Sequence, residues 1–96
     1  MNFGVFIRKR REQLGLSLRK LSTVSHISRT YLNNIESGKN TPSSKIIRSL
    51  SKHLRLNSDD LHRKCQVIPN DVKELIFKTP GSLTEIRELF KERETQ

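Results

Sequence analysis

The chain has 96 residues, with 19 Lys and Arg against 10 Asp and Glu and a formal net charge of +9, enough for one small domain with an appendage. No run approaches the roughly 20 apolar residues of a membrane-spanning helix, the opening Met1-Asn2-Phe3-Gly4-Val5-Phe6-Ile7-Arg8 does not read as a signal peptide, and the single Cys65 excludes an internal disulfide framework or a multi-cysteine zinc site. Ala is absent, so the apolar fraction is made of large side chains, Leu, Ile, Val and Phe supplying 28 of 96 residues, above the roughly 20% below which chains stay disordered.

Seven helices are predicted, and no alternating run of strand type occurs, so the fold class is all-α. Asn2 caps the first, with Phe3, Ile7, Arg11 and Leu14 at helical intervals and Gly15 as its left-handed stop. Ser17 caps a second, short helix carrying Leu18, Leu21 and Val24. Ser25 and His26 form a tight turn, and Ser28 caps a third helix with Tyr31, Leu32 and Ile35 as its inward stripe, ending before Gly38. After the loop Lys39-Asn40-Thr41-Pro42, Ser43 or Ser44 caps a fourth helix bearing Ile46, Ile47, Leu50 and Leu54. Asn57-Ser58 opens a fifth, with Asp59 and Asp60 at its positive dipole end and Leu61 as anchor. Pro69 or Asn70 starts a sixth with Val72, Leu75 and Ile76. Thr79-Pro80-Gly81 breaks it, and Ser82-Leu83-Thr84-Glu85 fits a capping box opening a seventh with Leu83, Ile86, Leu89 and Phe90.

Charge is unevenly placed along these elements. Residues 1–66 carry 14 basic and 4 acidic side chains, whereas residues 67–96 carry 5 basic and 6 acidic. The change falls at Val67-Ile68-Pro69, dividing a cationic body, residues 1–66, from a near-neutral extension, residues 67–96. Nucleic acid is the leading partner for such a body and an anionic membrane surface a distant second, since no basic amphipathic helix carries an exposed aromatic face.

Two short helices joined by a tight turn inside a basic five-helix body suggest a helix-turn-helix. The run Leu14-Gly15-Leu16-Ser17-Leu18-Arg19-Lys20-Leu21, then Ile27-Ser28-Arg29-Thr30-Tyr31-Leu32-Asn33-Asn34-Ile35-Glu36-Ser37-Gly38-Lys39, resembles the Cro/lambda-repressor-like (XRE) family. So do Asn40-Thr41-Pro42-Ser43, Ile46 to Leu54 and Asn57 to Leu61, and the resemblance covers about residues 3–62. It implies a sequence-specific double-stranded DNA-binding regulator, a small homodimeric repressor that occludes a promoter and regulates its own gene, on a pseudo-palindromic operator in the prokaryotic cytoplasm and nucleoid.

The resemblance makes the third helix the recognition helix, presenting Ser28, Arg29, Thr30 and Asn34 to base edges, with Asn33 as a further polar position of open orientation. Arg pairs bidentately with guanine and Asn with adenine. Phosphate contacts are implied for Ser17, Arg19, Ser37, Lys39, Asn40, Ser43, Ser44 and Lys45, and a partly buried ion pair for Arg11 and Glu36. Three positions depart from the family. Leu18 stands where many members have a phosphate-binding Gln, for which Arg19 is the substitute. His26 stands where the turn has Gly, and Ser22 where the second helix has Ala.

Other features read blandly. Arg8, Lys9 and Arg10 suit a solvated face as well as a contact, and Tyr31 reads as helix packing. His62 and Cys65 form an H-x-x-C pair without the further ligands zinc needs, so no metal is assigned, Cys65 reads as a small buried residue, and His53 is placed on the outer side of its helix. No nucleophile–base order, phosphate loop or paired carboxylate emerges, so neither an enzyme nor a cofactor is expected. The stripe Val72, Leu75, Ile76, Leu83, Ile86, Leu89 and Phe90 packs on the body, binds a partner protein or, the favoured reading, forms the homodimer surface, for which the fourth and fifth helices are the alternative. The second reading makes the chain an antitoxin or adaptor whose extension binds a partner protein.

Overall fold

A computed structural model describes residues 2–94, and these form seven helices and no strand. The order is α1 (Phe3–Gln13), α2 (Leu18–Ser25), α3 (Arg29–Glu36), α4 (Ser44–Leu54), α5 (Ser58–Cys65), α6 (Asn70–Lys78) and α7 (Ser82–Glu94). Side-chain caps set five of the starts. The Asn2, Ser17, Ser28, Ser43 and Asn57 side chains each accept from the backbone N–H three residues on, satisfying a donor the helix cannot pair itself. Of the two serines expected to cap α4, Ser43 does so. Pro69 occupies the position before α6 and makes no side-chain cap.

The capping box expected at Ser82 does not form. Ser82 lies inside α7, and its hydroxyl reaches back to the Ile76 carbonyl of α6. That bond closes the α6–α7 hairpin across the Thr79–Gly81 break.

The core is a single cluster of ten residues from α1 to α5 and the α2–α3 turn: Ile7, Leu21, Ile27, Leu32, Ile35, Ile47, Leu50, Leu54, Leu61 and Cys65. α1 and α2 contribute one residue each, Ile7 and Leu21, whereas α3, α4 and α5 contribute residues three or four apart, the spacing that puts side chains on one face. α1 and α3 cross unusually closely at Gly4, where an added Cβ would lie 2.5 Å from the Glu36 carbonyl oxygen and 2.7 Å from that of Ile35. Only a residue without a side chain permits that approach. Across the far side, the Lys64 ammonium sits 4.5 Å from the Phe6 ring centroid, tying α5 to α1.

Three non-glycine residues take the left-handed conformation, His26, Arg55 and Gln66, each just after a helix. His26, at φ 60°, makes the turn that the family builds with Gly. Ser25 steadies it, its hydroxyl donating to the Leu21 carbonyl at 2.6 Å and accepting from the Ile27 N–H at 3.3 Å. Ser22 adds a bond from its hydroxyl to the Ile27 carbonyl, so the polar atom that replaces the usual Ala holds the turn shut.

The α6–α7 hairpin contributes nothing to that core. No residue of α6 is buried, and the radius of gyration is 15.8 Å, against about 12.5 Å for a compact chain of this length. One polar tie fixes the base of α6, the Asn70 N–H donating to the Ser44 hydroxyl at 3.2 Å.

Candidate nucleic-acid interface

Helix starts carry the signal. In α5, α6 and α7 the first turn holds a carboxylate, Asp59 and Asp60, Asp71 and Glu85. Negative charge there offsets the positive end of the helix dipole. The first turns of α2, α3 and α4 hold no carboxylate and carry cations instead: Arg19 and Lys20, Arg29, and Lys45, all exposed. A cation at that end costs each helix about 0.3–1 kcal/mol. Together with free helix N–H groups it makes three anion-attracting termini. The capping hydroxyls of Ser17, Ser28 and Ser43 only accept from their own helices, so each keeps a hydrogen to donate outward.

The orientation of α3 is set by Leu32 and Ile35, both fully buried, with Tyr31 half-buried beside them. The opposite face presents Arg29, Thr30 and Asn33, all exposed, with Ser28 at its tip. Asn33 lies one turn after Arg29 and falls between Arg29 and Thr30 around the helix axis. Asn34 is rotated toward the edge of that face and is half-buried. Its carbonyl accepts from the N–H groups of Lys39 at 2.8 Å and Asn40 at 3.3 Å, and from the Ser37 hydroxyl at 3.2 Å. Asn34 therefore organises the loop after α3, and the orientation left open for Asn33 is toward solvent.

The phosphate set divides. Arg19, Ser37, Lys39, Ser43 and Lys45 are exposed, as is Ser17, and Asn40 is half-buried in the loop. Ser44 is the exception and corrects the expectation. It is buried, and its hydroxyl lies 2.8 Å from His62 Nε2 while accepting from the Asn70 N–H. His62, 2% exposed, bonds through Nδ1 to the Ser58 carbonyl at 2.8 Å. The carbonyl only accepts, so Nδ1 carries a hydrogen, and Nε2 shares one hydrogen bond with the Ser44 hydroxyl. The Ser44 side chain is thus spent inside the protein and is not available to a phosphate. Leu18 packs against the core instead of reaching outward.

Arg11 and Glu36 form the expected ion pair, with Nε 2.7 Å from Oε2 and Nη2 3.0 Å from Oε1. Their side chains are 12% and 7% exposed, and Arg11 Nη1 also donates to the Leu16 carbonyl at 2.8 Å. The hydrogen bond to Glu36 raises the Arg11 pKa above its ordinary value, burial opposing it. The pair ties α1 to the end of α3 and fixes that helix from behind.

Two roles escaped the sequence reading. Arg10, in a run that read as a solvated face, donates through Nε to the Leu54 carbonyl at 2.9 Å and through Nη2 to that of Arg55 at 3.3 Å. It closes the C-terminal end of α4, where cations are favoured; nothing in a run of four bases marks which one turns inward. Buried His62 had no signal beyond its position four residues after Ser58. In the extension, Val72, Leu75, Leu83, Leu89 and Phe90 are exposed and Ile76 and Ile86 half-buried. Phe77, 71% exposed, and Ile68 join the exposed apolar set.

Among the described residues no group of His, Cys, Asp and Glu is placed to hold a metal, and no helix is long and apolar enough to cross a membrane. A family model described as helix-turn-helix matches residues 7–61. Two uncharacterized HTH-type transcriptional regulators of Mycobacterium tuberculosis, MT0491 from strain CDC 1551 and Rv0474 from strain H37Rv, are each 30% identical over 73 residues, covering 75% of this chain and 52% of theirs. The chain therefore spans about half the length of the curated relatives it matches. A solved structure described as a SinR protein/SinI protein complex shares the fold with a TM-score of 0.59 at 22% identity, over 98% of this chain and 99% of the other. The chain belongs to the XRE (Cro/lambda-repressor-like) family of helix-turn-helix DNA-binding regulators.

Proposed function

We propose that this protein is a sequence-specific double-stranded DNA-binding regulator, a homodimeric repressor that acts by occluding a promoter. One observation carries the reading: α2, α3 and α4 place cations where helices ordinarily place acids, while α5, α6 and α7 follow the ordinary rule. The inversion lowers the stability of the free protein and becomes favourable only against a polyanion. Residues 1–66 form the DNA-binding unit. Arg29 and Asn33 read base edges in the major groove, with Ser28, Thr30 and Asn34 beside them. Ser17, Arg19, Ser37, Lys39, Asn40, Ser43 and Lys45 grip phosphates. Half or more of protein–DNA hydrogen bonds go to the backbone, so the second set supplies affinity and the first sequence choice.

The extension, residues 67–96, pairs two copies so that two recognition helices meet half-sites about 34 Å apart. A second reading gives the same apolar face to a different protein, as in an antitoxin or adaptor. It is supported by the exposure of Leu75, Phe77, Leu89 and Phe90 and by the two-protein composition of the SinR/SinI structure.

Selection of bound sites from a random duplex library tests the main reading. The expected product is a pseudo-palindrome with half-sites one turn apart, and a library showing no enrichment refutes it. Arg29→Ala should cost about 1–3 kcal/mol on the selected site and spare random duplex, whereas Lys39→Ala should weaken both alike and lower the salt slope by about 0.9.

A further inference from the structure

An open cleft of about 770 Å³ runs between the end of α2 with its turn and the exposed side of α4. Lys45, Arg48 and Lys52 form one wall, with His53 beside them, His26 on the facing turn, and Asn70 of α6 also lining the cleft. None of its lining residues is a carboxylate, and none of the three cations is in an ion pair among the described residues. We propose that this cleft is a second polyanion track, which takes duplex phosphate backbone outside the half-site read by α3. The proposal rests on the DNA-binding reading above.

The spacing suits that occupant. Lys45, Arg48 and Lys52 stand at i, i+3 and i+7, one face of a helix rising 1.5 Å per residue, so they span about 10 Å. One strand of duplex offers a phosphate for about each 3.4 Å of axis, hence about three phosphates along the track. Like charges at those spacings cost an isolated helix about 0.2–0.5 kcal/mol per pair, a cost that an anionic occupant offsets. Lys45 also belongs to the first turn of α4, so the track continues from the helix termini already assigned to phosphate.

The walls are held in place before any ligand arrives. Ser25 fixes the turn that carries His26. The buried His62–Ser44 bond fixes the start of α4, and Ser44 in turn holds Asn70 at the base of α6. An acidic peptide is the other anion that a cation cluster recognises; the duplex is favoured because the track continues from the start of α4 assigned to phosphate, and because Val24, the one aliphatic residue lining the cleft, gives a peptide little apolar anchorage.

The test compares the full chain with an Arg48→Gln/Lys52→Gln variant, both positions being exposed. Fluorescence anisotropy follows binding to random-sequence duplexes of about 10 and about 40 base pairs over about 50–200 mM salt. On the long duplex the variant should lose about 1.8 from the slope of log K against log salt, at about 0.9 per contact. Its Kd should rise about two-hundredfold at 50 mM salt and about thirtyfold at 150 mM, because counterion release fades toward 1 M. On the short duplex the two proteins should match. Identical curves on both duplexes overturn the proposal. Equal loss on the short duplex also overturns it, by placing Arg48 and Lys52 inside the half-site. So does a labelled polyglutamate peptide that binds the wild type and not the variant while duplex binding stays unchanged, which assigns the cleft to an acidic protein. If the wild type binds neither duplex, the DNA-binding reading fails first, and that result is separate from the others.

Discussion

Arg11→Met should be among the most damaging single changes in the body. It leaves the Glu36 carboxylate, 7% exposed, without the two hydrogen bonds that Nε and Nη2 now donate. Glu36 closes α3, at the negative end of the helix dipole, so no local charge replaces Arg11. Breaking a buried pair from one side costs about 3–5 kcal/mol. The Leu16 carbonyl loses its donor as well, adding about 1 kcal/mol. Against a total stability of about 5–15 kcal/mol for a small domain, this removes about a quarter or more. The double variant Arg11→Met/Glu36→Leu should recover most of that loss, because two apolar side chains of similar volume fill the site without a stranded charge. Urea unfolding followed by far-UV circular dichroism measures all four members of the cycle at a common m-value. The reasoning fails if Arg11→Met costs under about 1 kcal/mol, or if the double variant loses the sum of the singles. The pair adds no pH dependence through Arg11: its raised pKa means the stabilisation is complete below the unfolded value and is lost only above any practical pH.

Gly4→Ala should destabilise by about 1–3 kcal/mol, because its Cβ meets backbone oxygens of α3 that no side-chain rotation relieves; a thermal midpoint equal to wild type refutes the close crossing. Burial pushes the Cys65 thiol pKa up, so the folded state holds its proton longer than the unfolded chain. Stability should be intact below the unfolded thiol pKa of about 8.5 and decline as pH rises beyond it, and Cys65→Ser should flatten that alkaline limb in denaturant titrations. Native Cys65 should also resist iodoacetamide until the protein unfolds, and rapid labelling would contradict its burial. Deleting residues 69–96 should leave a soluble body that sediments as a monomer and binds the selected operator much more weakly; a truncated dimer of unchanged affinity excludes the hairpin as the dimer surface.

The helices were legible because their signals are local. A serine or asparagine three residues ahead of the backbone donor it satisfies is a short-range fact, and so is a Leu or Ile recurring each turn. The five side-chain caps and the inward stripes of α1 to α5 accordingly stand where the sequence reading expected them. The failures share one cause. Ser43 and Ser44 are indistinguishable as neighbours in sequence, and His62, 18 residues away, decides which of them turns inward. Ser82 satisfies a capping pattern, yet the free Ile76 carbonyl of α6 takes its hydroxyl instead. Among Arg8, Lys9, Arg10 and Arg11, two point into the structure, and their partners lie 25 and 44 residues downstream.

Sequence alone determined the all-helical class, the cationic body, the helix-turn-helix and the residue types along α3, because periodicity, capping and charge are written along the chain. Tertiary structure decided which polar side chains face outward. It set Asn33 on the open face of α3, turned Ser44 and Arg10 inward, and lined Lys45, Arg48 and Lys52 along one cleft. A side chain's direction depends on which distant carbonyl or ring needs its hydrogen bond, and only the packed helices bring those groups together.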